Sequence, residues 1–118
     1  MLTLGSGLRV YLALEAVDMR GSFNALQGKA RHLGLEPSDG NLYLFIHRRR
    51  RLCKMLWFDG SGWCIFSKRL EKGTFELPDV ANQATEPPRV VIDAATLASL
   101  LEGIDLRAQR RKWYRRAA

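Results

Sequence analysis

The stretch NLYLFIHRRRRLCKMLWFDGSGWCIFSKRL, residues 41–70, decides the fold. Two apolar runs, Leu42 to Ile46 and Leu52 to Phe58, flank His47 and four consecutive arginines, Arg48 to Arg51. Asp59-Gly60-Ser61-Gly62 follows as a strong turn signal, since its glycines reach the backbone angles that a tight hairpin requires. A third run opens at Trp63, continues to Phe66, and passes into Ser67-Lys68-Arg69-Leu70. Short apolar runs bounded by turn residues read as strands. Residues 41–77 therefore read as an antiparallel meander, with Thr74 to Leu77 as a short fourth element before Pro78.

The turn residues also set the register. With Gly60 and Ser61 as the loop, Trp57 faces Cys64, Met55 faces Phe66 and Cys53 faces Lys68. With the arginines as a four-residue loop, Ile46 faces Cys53 and Leu44 faces Met55. Side chains alternate across a sheet, so Leu42, Leu44, Ile46, Cys53, Met55, Trp57, Cys64 and Phe66 share one face. That face is almost purely apolar and predicts cover by a helix. The other carries Tyr43, Phe45, His47, Lys54, Phe58, Trp63, Ile65, Ser67 and Arg69, a mixture that could serve as stacking rings in a basic groove for single-stranded nucleic acid. Leu52, Leu56 and Ile65 share that face and need burial, which favours cover by the other helix or a partner subunit.

Working outward, LRVYLAL at 8–14 is β-prone and predicts a strand added at an edge of the sheet. Asp18 is placed to cap a helix over 19–33, whose stripe is Phe23, Leu26, Ala30 and Leu33, with Gly34 as its C-cap. Pro37 and Ser38-Asp39-Gly40 then impose a loop. PDVANQATEPPR at 78–89 reads as a linker-like loop. Asp93 caps a second helix over 93–103, with Leu97, Leu100, Leu101 and Ile104 as its stripe. The fold class expected is α+β: a three- or four-stranded antiparallel meander packed by two helices, forming one domain over 1–106 and followed by a basic tail at 107–118.

Charge narrows the partners. Of 19 Lys and Arg, eight lie in 47–72, opposed there by Asp59 and Glu71, and six lie in 107–118, opposed by no acidic residue. Clustered cations favour a polyanion, because each phosphate contact releases condensed counterions. The tail has no wide apolar face for a membrane surface, and no run approaches the roughly 20 apolar residues of a membrane span. The N-terminus lacks a basic start and soon meets Glu15 and Asp18, which argues against a signal peptide and sets a cytoplasmic expectation. Cys53 and Cys64 are too widely spaced for a paired zinc motif. On the expected sheet they stand about four residues out of register, roughly 13 Å apart, beyond reach of a disulfide. His32 and His47 are unpaired in sequence, and no metal or cofactor is expected.

Several strings then combine in order: RVYLA at 9–13, VDMR at 17–20, FIHRRRRLCKMLWFDGSG at 45–62, KRLEKGTFELP at 68–78 and LLEGID at 100–105. In this order and spacing the chain resembles the short accessory protein, called TnpB or Orf-two-like, of the IS-sixty-six group of bacterial insertion sequences. It departs from the commonest pattern at Phe58, His47 and Ser67. The resemblance implies a role in transposition beside a separate, larger transposase that carries the catalysis and other products of the same element.

The candidate nucleic-acid contacts are Arg48, Arg49, Arg50, Arg51, Lys54, Lys68 and Arg69, joined by Arg107, Arg110, Arg111, Lys112, Arg115 and Arg116 of the tail. The planar fork of arginine donates two hydrogen bonds to a phosphate at once, which fits the residue to this use. Phosphate contacts position a protein without reading sequence. The alternative is a docking module that binds the transposase complex through its apolar and aromatic surfaces, with Trp113-Tyr114 contributing and the cations peripheral. No Gly-rich phosphate loop, nucleophile elbow or His-Glu-x-x-His occurs. Asp18, Asp59 and Glu71 each have a structural explanation, so no catalytic residue is expected.

Overall fold

The computed structural model describes residues 7–14, 20–77 and 89–103. Five strands, β1 (Val10–Ala13), β2 (Leu42–Ile46), β3 (Leu52–Phe58), β4 (Trp63–Arg69) and β5 (Arg89–Ile92), form one sheet in the order β4-β3-β2-β1-β5. Two helices, α1 (Phe23–His32) and α2 (Ala94–Glu102), pack on opposite faces of it.

The meander has the register that its two loops dictate. Ile46 pairs with Cys53 and Leu44 with Met55 across β2 and β3. Cys53 pairs with Lys68, Met55 with Phe66 and Trp57 with Cys64 across β3 and β4. The face expected to be apolar joins Val10, Leu12, Val90 and Ile92 in one core, closed by Leu97 and Leu100 of α2. The opposite face holds Tyr43, Phe45 and Leu56 beneath Leu26, Ala30 and Leu33. Two cores thus lie back to back with the sheet between them.

The sheet is mixed, which corrects the expectation of a purely antiparallel one. β1 runs parallel to β2, with Leu12 opposite Leu44. The helix between them makes this possible: parallel neighbours need a long crossover connection, which the chain supplies by crossing one face as α1. β1 does join the open side of the meander, but it is not an edge strand, because β5 pairs antiparallel along its outer side with Ala13 opposite Arg89. Residues 74–77 form a single bridge at Thr74 and not a fourth strand. The linker-like stretch ends one residue early, at Arg89, which opens β5; residues 78–88 lie outside the described residues, as do 104–118.

Local chemistry sets the helix ends. Asp93 stands at the N-cap of α2 and accepts from the Thr96 amide at 2.7 Å, which satisfies one orphan donor of the first turn. Asp18, the expected cap of the first helix, lies outside the described residues, and α1 begins only at Phe23 after Gly21 and Ser22, the latter making no side-chain cap bond. At the far end the Gly34 amide donates to the Arg31 carbonyl at 2.9 Å and the Leu35 amide to the Ala30 carbonyl at 3.1 Å. This paired arrangement needs a left-handed residue, and Gly34 supplies it with φ of +78°. The Arg89 guanidinium donates to the Leu33 carbonyl and ties β5 to the same helix end. Phe23, assigned to the buried stripe from its spacing, is 44% exposed at the first position of α1.

Leu44 is fully buried while Phe23 is not, so truncations of the two separate core from surface. Leu44→Ala is expected to cost about 2–5 kcal/mol and Phe23→Ala less than about 1 kcal/mol, read from urea unfolding midpoints. Equal losses would contradict the two-core description.

Candidate nucleic-acid interface

The strand directions bring one set of ends together. The C-terminal ends of β1, β2 and β4 and the N-terminal ends of β3 and β5 all lie at the same end of the sheet. The loop 47–51 caps β2 and β3 there. The His47 amide donates to the Leu52 carbonyl at 2.9 Å, and the Arg50 amide donates back to the His47 carbonyl at 2.7 Å. The Arg49 amide donates to His47 Nδ1 at 3.2 Å, which fixes the ring and makes Nδ1 its acceptor nitrogen.

Two more bonds hold the loop from below. The Leu70 amide donates to the Arg51 carbonyl at 2.8 Å, and the Phe75 amide donates to the Arg50 carbonyl at 2.7 Å. Leu70 and Phe75 are themselves 9% and 0% exposed in the α2-side core. The backbone is therefore anchored while the side chains of Arg48, Arg49, Arg50 and Arg51 stand exposed. Among the described residues Arg50 is the one non-glycine with positive φ, at 58°. Such a conformation costs an L-residue roughly 1–2 kcal/mol. Two net hydrogen bonds of about 1 kcal/mol each, with the burial of a Leu and a Phe at about 1.5–3 kcal/mol each, exceed it.

The expected contact residues separate into three groups. Arg48 to Arg51 share this end with Arg69, which pairs with Leu52, and Lys68, which pairs with Cys53. Lys54 does not join them: its ammonium donates to the Gly21 carbonyl at 3.3 Å, tying β3 to the segment that enters α1. Arg107, Arg110, Arg111, Lys112, Arg115 and Arg116 lie outside the described residues. Lys72 was not among the residues expected from sequence, yet it is exposed in the segment 70–75 whose ends bond to the arginine loop. Its signal was the KRLEKG string that continues β4.

Counter-charge is sparse. Arg50 Nη1 lies 3.6 Å from Glu76 Oε2, with both side chains nearly half exposed, a geometry that contributes little to stability. No ion pair engages Arg48, Arg49 or Arg51 among the described residues. Lys68 faces the α2 side beside Cys53. Burial pushes the Cys53 thiol up to about 11, with the Lys68 backbone and charge opposing the shift in part, so this cysteine is an inert core residue.

The aromatic face is core. Tyr43 and Phe45 are each 1% exposed beneath α1, so neither offers a stacking ring to a strand. Tyr43 stacks on Tyr11 with centroids 5.3 Å apart, and its hydroxyl donates to Asp39 Oδ2 at 2.6 Å. Burial and that carboxylate both raise the Tyr43 phenol above its ordinary range. Trp63 is half-buried and tilts against Phe58 with centroids 5.1 Å apart, at the other end of the sheet.

The acidic residues are similarly accounted for. Asp59 Oδ1 accepts from the Ser61 and Gly62 amides, both at 2.9 Å, and these bonds, the Ser61 amide foremost, hold its carboxyl below the usual range. Asp59 precedes β4 and Glu71 follows it, so a seven-residue strand, roughly 20 Å long, separates the two carboxylates. They do not converge on one pair of metal ions, which would need to stand about 4 Å apart. Among the described residues no group of three or more His, Cys, Asp or Glu could hold a metal, and no helix is long and apolar enough to cross a membrane.

The fold and its charged end define a small α+β domain: a mixed five-stranded sheet between two helices, with a hydrogen-bonded cationic loop at one end. The model of the family described as IS66 Orf2 like protein matches residues 8–111, and the chain belongs to that family. It is 40% identical over 114 residues to protein y4hO of Sinorhizobium fredii, covering 96% of this chain and 95% of that one. It is also 31% identical over 109 residues to y4jC of the same organism, covering 90% and 87%. No solved structure matches the chain. Membership makes this a transposition-associated accessory protein of the IS66 kind.

Backbone bonds, and not the guanidinium of Arg50, hold the loop. Arg50→Gly is therefore expected to leave stability unchanged or to raise it by up to about 1 kcal/mol in urea unfolding, since glycine accepts the left-handed conformation. A decrease of more than about 1 kcal/mol would show that the side chain supports the fold.

Proposed function

We propose that this protein serves DNA transposition without catalysing it, holding transposon DNA against the arginine end of its sheet with the basic tail at 107–118 as a second contact. The observation that carries the reading is a rigid backbone presenting Arg48, Arg49, Arg50 and Arg51 beside Lys68, Arg69 and Lys72, with Glu71 and Glu76 as the acidic residues of that segment. A pair of exposed like charges about 7 Å apart repels by roughly 0.6 kcal/mol in water, so such a cluster works against folding. Its presence on an anchored loop supports a use outside the fold. Phosphodiesters suit it: guanidinium forks match phosphate geometry, and each contact gains by counterion release.

In this reading the cations position DNA for a transposase that does the chemistry, and they read no sequence of their own. Lys54 belongs to the scaffold. The competing reading, a docking module for the transposase complex, drew on an open aromatic face; the burial of Tyr43 and Phe45 weakens that support.

Replacing Arg48–Arg51 with Ser is expected to leave folding nearly unchanged and to weaken DNA binding. The slope of log affinity against log salt should fall by roughly 0.9 for each duplex phosphate that the variant no longer touches. Deleting 107–118 should act in the same direction. Wild-type affinity and slope in both variants, or a wild type without salt-sensitive binding, would overturn the reading and favour the docking module.

A further inference from the structure

At the base of the arginine loop lies a half-open cleft of about 120 Å³. A single water needs only roughly 10–15 Å³, so the cleft admits a polyatomic group. Leu14, Ile46 and Leu77, which share the α2-side core, give it an aliphatic wall; Ala13 also lines it, and the rim is His47, Arg48 and Arg50. The wall is backed by the core on the α2 side, since Ile46 is 4% exposed in β2 and Leu14 and Leu77 pack against the same core. The His47 ring is also fixed, by the bond from the Arg49 amide to Nδ1 at 3.2 Å. That bond leaves Nε2 as the nitrogen bearing hydrogen, with no acceptor among the described residues. Arg50 meets the Glu76 carboxylate at 3.6 Å, and the Thr74 hydroxyl holds Glu76 at 2.7 Å, so of the two rim guanidiniums one has an acidic partner, which does not itself line the cleft.

A flat imidazole, an aliphatic wall and two guanidiniums around one small cleft suit a ligand with a planar apolar face and an adjoining anion. A nucleotide has both. The bases of an intact duplex are stacked on one another and cannot enter, whereas unpaired bases stack on imidazole and guanidinium planes. Resting on the DNA reading above, we infer that this cleft seats one unpaired nucleotide of a DNA strand. Its base lies against His47 and the aliphatic wall, and its phosphate lies on Arg48 and Arg50. The protein then engages DNA where a strand end or a locally opened pair is presented, and the remaining arginines follow the adjoining backbone.

The test compares two DNAs with equal numbers of phosphates, a blunt duplex and a duplex with a short single-stranded overhang carrying 2-aminopurine at its first unpaired position. The full-length protein is expected to bind the overhang about tenfold more tightly, within the range that one stacked base contributes, and to change the 2-aminopurine fluorescence on binding. His47→Ala, which removes the ring, and Leu77→Trp, which fills the wall, should each bring the ratio of affinities towards one, with folding checked by circular dichroism. A wild-type ratio near one, unchanged fluorescence, or a tenfold ratio kept in a folded variant of either kind would overturn the cleft. In those cases salt-sensitive binding of the blunt duplex leaves the broader DNA reading standing. Binding to neither DNA would overturn both. The wild-type measurements decide the matter even if a variant fails to fold.

Discussion

Two main-chain hydrogen bonds, from Leu70 to the Arg51 carbonyl and from Phe75 to the Arg50 carbonyl, hold the loop on which the functional reading depends. Four adjacent guanidiniums favour an expanded, mobile connection, since each pair repels. What opposes them is the segment 70–75, which turns under the loop after β4 and drives Leu70 and Phe75 into the core. The loop backbone is thereby anchored at the cost of one left-handed arginine, with all four arginine side chains exposed. Without that anchor the same residues would be a floppy basic loop, which must lose more conformational entropy on binding any ligand.

The rest of the fold serves the same end. With α1 as the crossover, β1 runs parallel to β2, so the end of β1 arrives beside the end of β2 and Leu14 becomes part of the cleft wall under the arginines. β5 covers the outer side of β1 and carries Arg89 to the C-terminal end of α1, closing the second core. The opposite end of the sheet is closed by the Asp59 turn, which holds its carboxylate for the backbone amides of Ser61 and Gly62. Charge and turn chemistry are thus divided between the two ends.

The parts legible in the sequence were those set by local pattern. Asp59-Gly60-Ser61-Gly62 and the arginine run bound the strands closely enough for Trp57 to be placed opposite Cys64 and Ile46 opposite Cys53. Asp93 was readable as a cap because the hydrogen bond it accepts lies three residues away. Long-range pairing was not readable. Arg89-Val90-Val91-Ile92 is a strand only because β1 lies alongside it, and four residues after two prolines look like the end of a linker. The direction of β1 depended on a crossover that no short window contains. Lys54 had the charge of a contact residue, but no short window showed that its ammonium would reach the Gly21 carbonyl. The anchoring of the arginine loop by residues 70–75 was hidden for the same reason, since isolated Leu70 and Phe75 carry no periodic signal.

If the proposed function holds, nucleic acid meets one end of this sheet and not the other. Backbone amide shifts of the isotope-labelled protein, followed during titration with DNA at low salt, test this most directly. The largest changes are expected on 47–51 and 68–73, fading as salt is raised, while the turn at 59–62 stays unperturbed. Changes centred on 59–62, or none at the arginine loop while DNA is bound, would contradict it.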